Sequence, residues 1–356
     1  MITLNENWTD RQTWDAFVTG HPQGRFCHLF DYGQIVSCYG YAPVHLAFLK
    51  DGSLAAVLPG SRVNSLLYGR KLVSQPFSEY GGLLADAALS AEDIRAIATL
   101  LHDYAGAHRQ PSLIEMHGNH GIPANLREDL FIPRNPHHIA LLDLERPIEE
   151  LWEKVVRYSV RKAVNQARKK GLEVFEECDE GIIRERFFPL YLKSMKRLGV
   201  PPHKIDYYLG CARAFGADMK IFWAAKDKTV LAGLLGFACG RRVNIVNIVS
   251  TPESWQDRPN DLIHWEFVKW AAENGYKVFD FGSVRYEGQM TYKRKWGCIF
   301  EEHKHYLMSA RQSDVDTATF DSSSDSMARM SKIWARAVPL GVGAWIGPMI
   351  RKHLAR

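Results

Sequence analysis

No apolar run in this sequence reaches the roughly 20 residues that a helix needs to cross a bilayer. Met1 to Asp10 carries no basic stretch followed by an apolar one, the pattern of an export signal. Together these absences predict a cytoplasmic protein. Cysteine is sparse and unpaired, six residues at 27, 38, 178, 211, 239 and 298 with no CxxC spacing. A disulfide framework and a cysteine zinc site are thereby excluded, and buried thiols of a reducing compartment are expected. There is no phosphate-binding glycine loop, no local Ser-His-Asp or Cys-His signature and no RNA-binding module. His117, His120, His137 and His138 have no Cys or Asp at ligand spacing, so no metal is expected. Charge of one sign is also scarce: a net +5 tolerates an anionic partner without requiring one.

What is present is a soluble globular composition, 46% hydrophobic and 24% charged, over 356 residues, enough for two ordinary domains. Helix and strand patterns alternate. Thr9 to Val18 and His28 to Gly40 read as short helices, and Val44–Leu49 and Leu54–Leu58 as strands around the turn Lys50-Asp51-Gly52. Ser90 opens a helix to about His108, with Glu92 and Asp93 in its first turn; Ser112–Met116 and His138–Leu144 are strands. The plan then recurs. Shifted by 176 residues, Lys50, Asp51, Ala56, Leu58, Gly60, Val73, Ser74, Pro76 and Ser78 meet identical residues at 226, 227, 232, 234, 236, 249, 250, 252 and 254. About two matches are expected by chance over that length, so an internal duplication of one α/β domain is the better reading. A cleft between two such domains is a favoured ligand site.

In the second copy a helix is expected from Asn260, its cap, to Asn274, with Asp261 at its positive end and Gly275 at its left-handed exit. A short buried strand, Phe279-Asp280-Phe281-Gly282, follows, and after it a basic-aromatic run from Tyr292 to Trp296. Ligands of α/β units lie beyond the carboxyl ends of strands, which puts Asp280 and the Lys293 region where chemistry occurs. Asp280 reads as a base or as a structural carboxylate receiving backbone hydrogen bonds, the latter being favoured. Between the copies, Arg146 to Gly171 runs from acidic to basic and carries Trp152, Val156, Val160, Ala163 and Ala167 as an apolar stripe. Arg157 and Arg161 stand one turn apart beside that stripe, either as a phosphate clamp or as a solvated basic face. Ser309–Met327 reads as a flexible linker. In Ser331–Arg356, tryptophans and apolar residues are flanked by Lys332, Arg336, Arg351, Lys352 and Arg356, and glycines and prolines are expected to break the segment into short pieces. It either docks on an anionic bilayer or packs on the body of the protein.

Phe279-Asp280-Phe281-Gly282 with Tyr292-Lys293 and Trp296-Gly297 resembles the closing motif of FemAB-like proteins, tandem transferases of the acetyltransferase (GNAT) fold. Arg157-Tyr158-Ser159-Val160-Arg161-Lys162-Ala163 resembles that family's basic helix, and Ser78-Glu79-Tyr80-Gly81-Gly82 its first-domain turn. The tail is similar to the branch found with exosortase (PEP-CTERM) polysaccharide systems. The resemblance covers nearly the whole chain. It departs after Gly282, where Tyr286-Glu287-Gly288-Gln289 replaces a Gly-Thr-Gly-type run. The helical hairpin insertion of the tRNA-using members is absent as well. Before Asn260 there is no Arg/Gln-x-x-Gly-x-Gly run, which counts against acetyl-CoA as donor.

The resemblance implies mixed α/β sheets in two GNAT-like domains, 1–145 and 172–308. A basic linking helix spans 146–171, the linker 309–330 and the amphipathic tail 331–356. It implies acyl or aminoacyl transfer onto an amine of a cell-envelope or exopolysaccharide precursor, with a small-molecule or lipid-linked glycan or peptide as acceptor. Lys293 is carried over as the oxyanion or leaving-group residue, the alternative being a solvent-facing lysine in a basic turn. Asp280 is the second catalytic candidate. Arg157, Arg161, Tyr80, Glu79, Arg285, Tyr292 and Trp296 are the substrate-binding candidates, with Glu287 weaker. No tightly bound cofactor is implied. The donor is left open between aminoacyl-tRNA, acyl-CoA and acyl carrier protein, with tRNA a partner only in the first case. Two other readings stand beside this one: a non-catalytic, membrane-docked component of polysaccharide assembly, and an acetyl-CoA-dependent N-acetyltransferase. The localisation is cytoplasmic, with the inner face of the cytoplasmic membrane as the place of peripheral docking.

Overall fold

A computed structural model describes residues 1–67, 69–107, 112–309 and 325–354. Along the first half of the chain run β1 (Ile2–Asn5), α1 (Arg11–Gly20), β2 (Ala42–Lys50), β3 (Ser53–Ser65), β4 (Gly69–Val73), β5 (Leu84–Ala85), α2 (Ala91–Ala107), β6 (Leu113–His117), α3 (Ala124–Leu130) and β7 (Ile132–Asp143). The stretch 28–40, expected as one helix, forms only short turns and the five-residue helix Tyr32–Val36. The second half contributes α4 (Tyr158–Lys169), β8 (Glu173–Glu176), α5 (Phe188–Leu198), α6 (Ile205–Phe215), β9 (Met219–Lys226), β10 (Thr229–Cys239) and β11 (Arg242–Ser250). It continues with α7 (Pro259–Glu273), β12 (Val278–Val284), α8 (Glu287–Arg294), β13 (Ile299–Ser309), α9 (Asp325–Ala337) and α10 (Leu340–Lys352). The expected linker falls mostly on 310–324, outside the described residues.

The chain forms two compact units, and they are not contiguous in sequence. One comprises Met1–Pro136, His303–Ala328 and Met349–Arg356; the other comprises His137–Glu302 and Arg329–Pro348. The boundaries expected at 145 and 308 therefore differ from these units: residues 137–145 lie in the second, and His303 onward in the first. The expected linking segment, 146–171, lies wholly within the second.

Each unit repeats one topology. In the first, β2, β3 and β4 are antiparallel neighbours, α2 follows, and β6 then pairs parallel with β4. In the second, β9, β10 and β11 are antiparallel, α7 follows, and β12 pairs parallel with β11. The two hairpin turns that match in sequence also match in backbone, with Asp51 and Asp227 at φ 50° and 49°. The strand that closes each sheet is exchanged. β7, from the first half of the chain, pairs antiparallel with β12, and β13, from the end of the second half, pairs antiparallel with β6. The first core forms between this sheet and α2, where Ile94, Ile97 and Leu101 meet Phe48, Leu58 and Met116. The second gathers Leu262, Ile263, Phe267 and Val268 of α7 against Phe222, Leu234 and Phe279.

Local chemistry explains the ends. Ser90 and Asp93 exchange side-chain-to-backbone bonds at the start of α2, Asp93 N–H to Ser90 Oγ at 3.1 Å and Ser90 N–H to Asp93 Oδ2 at 2.9 Å, a capping box. α7 is not capped by Asn260. It starts at Pro259, whose missing N–H is no loss at a first helical position, behind Arg258 at φ 61°. The Asn260 amide donates to Ser250 Oγ instead, at 3.3 Å. The basic helix is also shorter than expected. Val156 and Arg157 are extended, so α4 begins only at Tyr158. The break has a non-local cause: Arg157 N–H donates to Lys295 O at 2.9 Å, and a Cβ on Gly297 would come within 2.2 Å of the Val155 side chain. In the tail, by contrast, the glycines do not break the chain. Gly343 and Gly347 are buried within α10; a Cβ on Gly347 would lie 2.3 Å from Pro202 Cδ, a point of close approach within the second unit, and one on Gly343 would meet Val338 and Trp334 of the tail itself. Pro348 also lies inside the helix.

Candidate active site

The strand that ends in Phe279-Asp280-Phe281-Gly282 is the centre of the second unit. β11 and β12 pair in parallel only at 242–278, 243–279 and 244–280. Beyond that point β11 stays with β10 as far as Ser250, and β12 continues with β7 to Val284. The two parallel strands thus part company at Asn244 and Asp280. Asp280, fully buried, holds the junction. Its Oδ2 accepts from Asn244 Nδ2 at 2.9 Å and its Oδ1 from the Gly282 N–H at 2.8 Å. The second bond shapes the bulge between Asp280 and Ser283, where Gly282 takes φ 75°, a conformation that favours glycine.

Lys293 comes from α8, which follows this strand. It is 9% exposed, and its ammonium donates to Gly282 O at 3.0 Å and Ser283 O at 2.8 Å. It is not a solvent-facing lysine: the fold fixes a buried positive charge on the carbonyls of β12, just past the point where the strands separate. Trp296 is fully buried and Tyr292 packs beside it, ring centroids 6.3 Å apart, as their spacing predicts. Oδ1 of Asn244 and Oδ1 of Asn260 are buried without hydrogen-bond partners. Buried orphans of this kind mark a place where a ligand or water would be bonded. Burial pushes the Tyr292 phenol far up, reinforced by the nearby Asp261 carboxylate, and so keeps it a neutral donor. Burial also raises Asp261 itself at the start of α7.

His264 lies in the stretch Asn260-Asp261-Leu262 with His264-Trp265-Glu266, which resembles the family, but no role for it follows from the sequence. It sits one turn into α7, stacked on Phe281 with centroids 5.6 Å apart, and near Trp296 at 5.6 Å. Its Nδ1 lies 2.6 Å from Asn260 O; a carbonyl only accepts, so Nδ1 carries the proton and Nε2 presents a lone pair. Burial lowers its pKa to about 4, with the Lys293 charge adding to the effect, so the ring is neutral near pH 7. The signal was present in the i, i+4 spacing of Asn260 and His264 on a helix.

The arginines divide. Arg161 lines an open hollow of about 770 Å³ together with Trp152, Tyr158, Lys162, Lys169 and Lys170, and its Nε is buried and unpartnered. Arg157 is exposed at the entry to α4 and does not line that hollow. Arg168 is engaged by Glu266 at 2.6 Å and Lys170 by Asp257 at 2.9 Å. Arg285 is exposed, with its backbone N–H on Gln289 Oε1 at 2.8 Å. Glu79 and Tyr80 belong to the first unit. There Tyr80 is buried under the Arg25 guanidinium, 4.1 Å from the ring centroid, and the Glu79 carbonyl lies 2.8 Å from His303 Nε2.

The fold has counterparts among known proteins. Residues 154–294 match the family model of the acetyltransferase (GNAT) domain. The fold is a tandem GNAT fold. The chain is similar to the crystal structure of FemX, with a TM-score of 0.71 and 17% identity over 87% of this chain and 98% of that one. It is also similar to the C-terminal domain of a putative lysylphosphatidylglycerol synthetase from Agrobacterium fabrum, with a TM-score of 0.53 and 12% identity over 82% of this chain and 91% of that one. A third similar structure is L-PGS from Bacillus licheniformis, with a TM-score of 0.51 and 13% identity over 86% and 96% of the two chains. No curated protein matches the sequence.

Proposed function

We propose that the protein transfers an acyl or aminoacyl group to an amine of a cell-envelope or exopolysaccharide precursor. The observation that carries this reading is the buried Lys293 ammonium on the Gly282 and Ser283 carbonyls, beside the separated strands β11 and β12. Acyl transfer passes through a tetrahedral oxyanion, and a preorganised positive charge in a site shielded from water stabilises it far more than a solvated lysine does. The edges of β11 and β12 beyond Asn244 and Asp280 offer backbone groups to an extended donor arm. His264 Nε2 is the proton acceptor we assign to the attacking amine. Its pKa of about 4 makes it a weak base, and one that is unprotonated at neutral pH. Asp280 acts as a positioning residue through its bonds to Gly282 and Asn244. The basic hollow at Arg161 is the anion subsite, which suits a phosphate of donor or acceptor. The names of the similar proteins, one of them a lysylphosphatidylglycerol synthetase, favour an envelope acceptor.

We also read the tail as a membrane-facing surface. Trp334, Gly343 and Gly347 are buried, while Ile333 and Trp345 are 60% and 74% exposed. From Arg329 onward every charged side chain is basic. Such a face suits an anionic bilayer surface. No described helix is long and apolar enough to cross a membrane.

The reading is tested by supplying the full-length protein with labelled aminoacyl-tRNA, acyl-CoA and acyl carrier protein donors, together with envelope precursors bearing a primary amine. Label on the acceptor nitrogen from one donor class is expected. No transfer from any of the three, with an unaltered envelope in a deletion strain, would sink it.

A further inference from the structure

The first unit contains a second buried polar cluster, which the transfer reading does not use. Glu115 and His117 are two residues apart on β6 and therefore share a face. His305 on β13 is the direct cross-strand partner of His117. All three are buried. The His117 and His305 rings stack with centroids 4.2 Å apart. His117 Nε2 and His305 Nδ1 each lie 3.8 Å from the same oxygen, Oε1 of Glu115, beyond hydrogen-bond reach. The other oxygen, Oε2, is already held by the ammonium of Lys71.

The tautomer of His117 decides what this geometry means. Its Nδ1 lies 2.8 Å from Ser78 O, and because a carbonyl can only accept, Nδ1 carries the proton. In the neutral ring, Nε2 is then a bare lone pair, fully buried and without a hydrogen-bond partner, turned toward a carboxylate oxygen. Two acceptors facing each other in a dry interior repel unless a cation stands between them. A metal-ligating histidine usually has its other ring nitrogen donating to a backbone carbonyl or carboxylate in this way.

We propose that Glu115 Oε1, His117 Nε2 and His305 Nδ1 bind one divalent transition-metal ion, with zinc the best match. Two imidazoles and one carboxylate oxygen are borderline donors that suit zinc and disfavour calcium or magnesium, which take oxygen ligands. Bonds of about 2.1 Å in a tetrahedral arrangement bring donors to about 3.4 Å of one another; the two contacts to Glu115 Oε1 close by a few tenths of an ångström from 3.8 Å, and the three ligand atoms already lie within 4.8 Å of one another. Lys71 on Oε2 restricts Glu115 to a single ligating oxygen. The ion cross-links β6 to β13, the strand that enters this unit from the far end of the chain. Spacing along the sequence hides such a site, since His305 reaches His117 only through the sheet register.

The test is independent of any transfer assay. Full-length protein is stripped with chelator, dialysed against zinc, and its metal content measured. About one zinc per chain is expected, with a higher melting temperature than the stripped protein. A loss of tenfold or more in bound zinc is expected in His117→Gln and in His305→Gln, each checked for folding by circular dichroism. Cobalt added to the stripped wild type provides a readout that needs no variant: weak visible bands without thiolate charge transfer, abolished by zinc. No stoichiometric metal, unchanged zinc in both variants, or a strong thiolate–cobalt band would each overturn the proposal.

Discussion

In the first unit the strand that follows the long helix, β6, carries Glu115 and His117 and faces Lys71 and His305. In the second unit the corresponding strand, β12, carries Asp280 and receives Lys293 on its carbonyls. Both are parallel partners of the strand before the helix, and both bury a lysine beside an acidic residue of that strand or beside its backbone. The lysines differ in what they meet. Lys71 meets the Glu115 carboxylate, and Lys293 donates to the Gly282 and Ser283 carbonyls. A direct ion pair stabilises a sheet and cancels much of its own field. An ammonium bonded to carbonyl dipoles is placed where it can meet a developing anion. One topology thus carries a direct ion pair in the first unit and an ammonium bonded to the strand's backbone in the second.

This contrast is easiest to break at Glu115. In chelator-treated protein, Glu115→Gln leaves the Lys71 ammonium buried without its counter-charge and is expected to cost about 3–5 kcal/mol by chemical denaturation. The double variant Lys71→Met, Glu115→Leu is expected to recover most of that loss, because well-packed apolar replacements of a buried pair are often close to neutral. A double variant as unstable as the single one would refute the ion-pair account.

Acid should separate the units next. Burial lowers His305 to about 4 and His28 to about 3, and holds His120 well below its usual value, all in the first unit. A histidine lowered on folding leaves the unfolded chain binding more protons between the two pKa values. Stability therefore rises with pH through that window and is lost as pH falls from about 6.5 toward 4. For Glu115, burial raises the pKa and the Lys71 charge opposes it, leaving the group well below its usual value and ionised across that window. In the second unit His264 follows the same rule, with a pKa of about 4. Amide hydrogen exchange of chelator-treated protein at pH 7 and pH 5 is expected to lose more protection in β6 and β13 than in β11 and β12, and equal losses would contradict the asymmetry.

Smaller effects sharpen the picture at the edges. Gly347→Val pushes a side chain into Pro202 and is expected to destabilise the tail by about 1–3 kcal/mol, read as faster proteolysis between 325 and 354. Arg168→Gln removes a surface pair with Glu266 and is expected to shift stability by less than about 1 kcal/mol by thermal melting.

How much of this was legible beforehand follows from which contacts are local. The hairpins around Asp51 and Asp227, the capping of α2 by Ser90 and Asp93, and the exit of α7 at Gly275 rest on neighbours in sequence and were readable. The break before α4 was not, because it depends on Arg157 meeting Lys295 and Val155 meeting Gly297, more than a hundred positions away. The exchange of β7 and β13 was hidden for the same reason: alternation identifies a strand without naming its partner. The tail misled through composition. Gly343 and Gly347 sit four apart on one helical face, where they permit close packing instead of ending the helix. At the candidate site, Lys293, Tyr292 and Trp296 were named from a local motif, and Tyr292 and Trp296 do pack together. The role of His264 was not legible, because it comes from Asn260 O and Phe281 around it.

The central claim is that the Lys293 charge stabilises the transfer oxyanion. The most direct measurement is the transfer rate of Lys293→Ala relative to wild type at saturating acceptor, with folding checked by circular dichroism. A fall of roughly 10²–10³-fold in kcat is predicted. A folded variant that transfers at the wild-type rate would contradict the account.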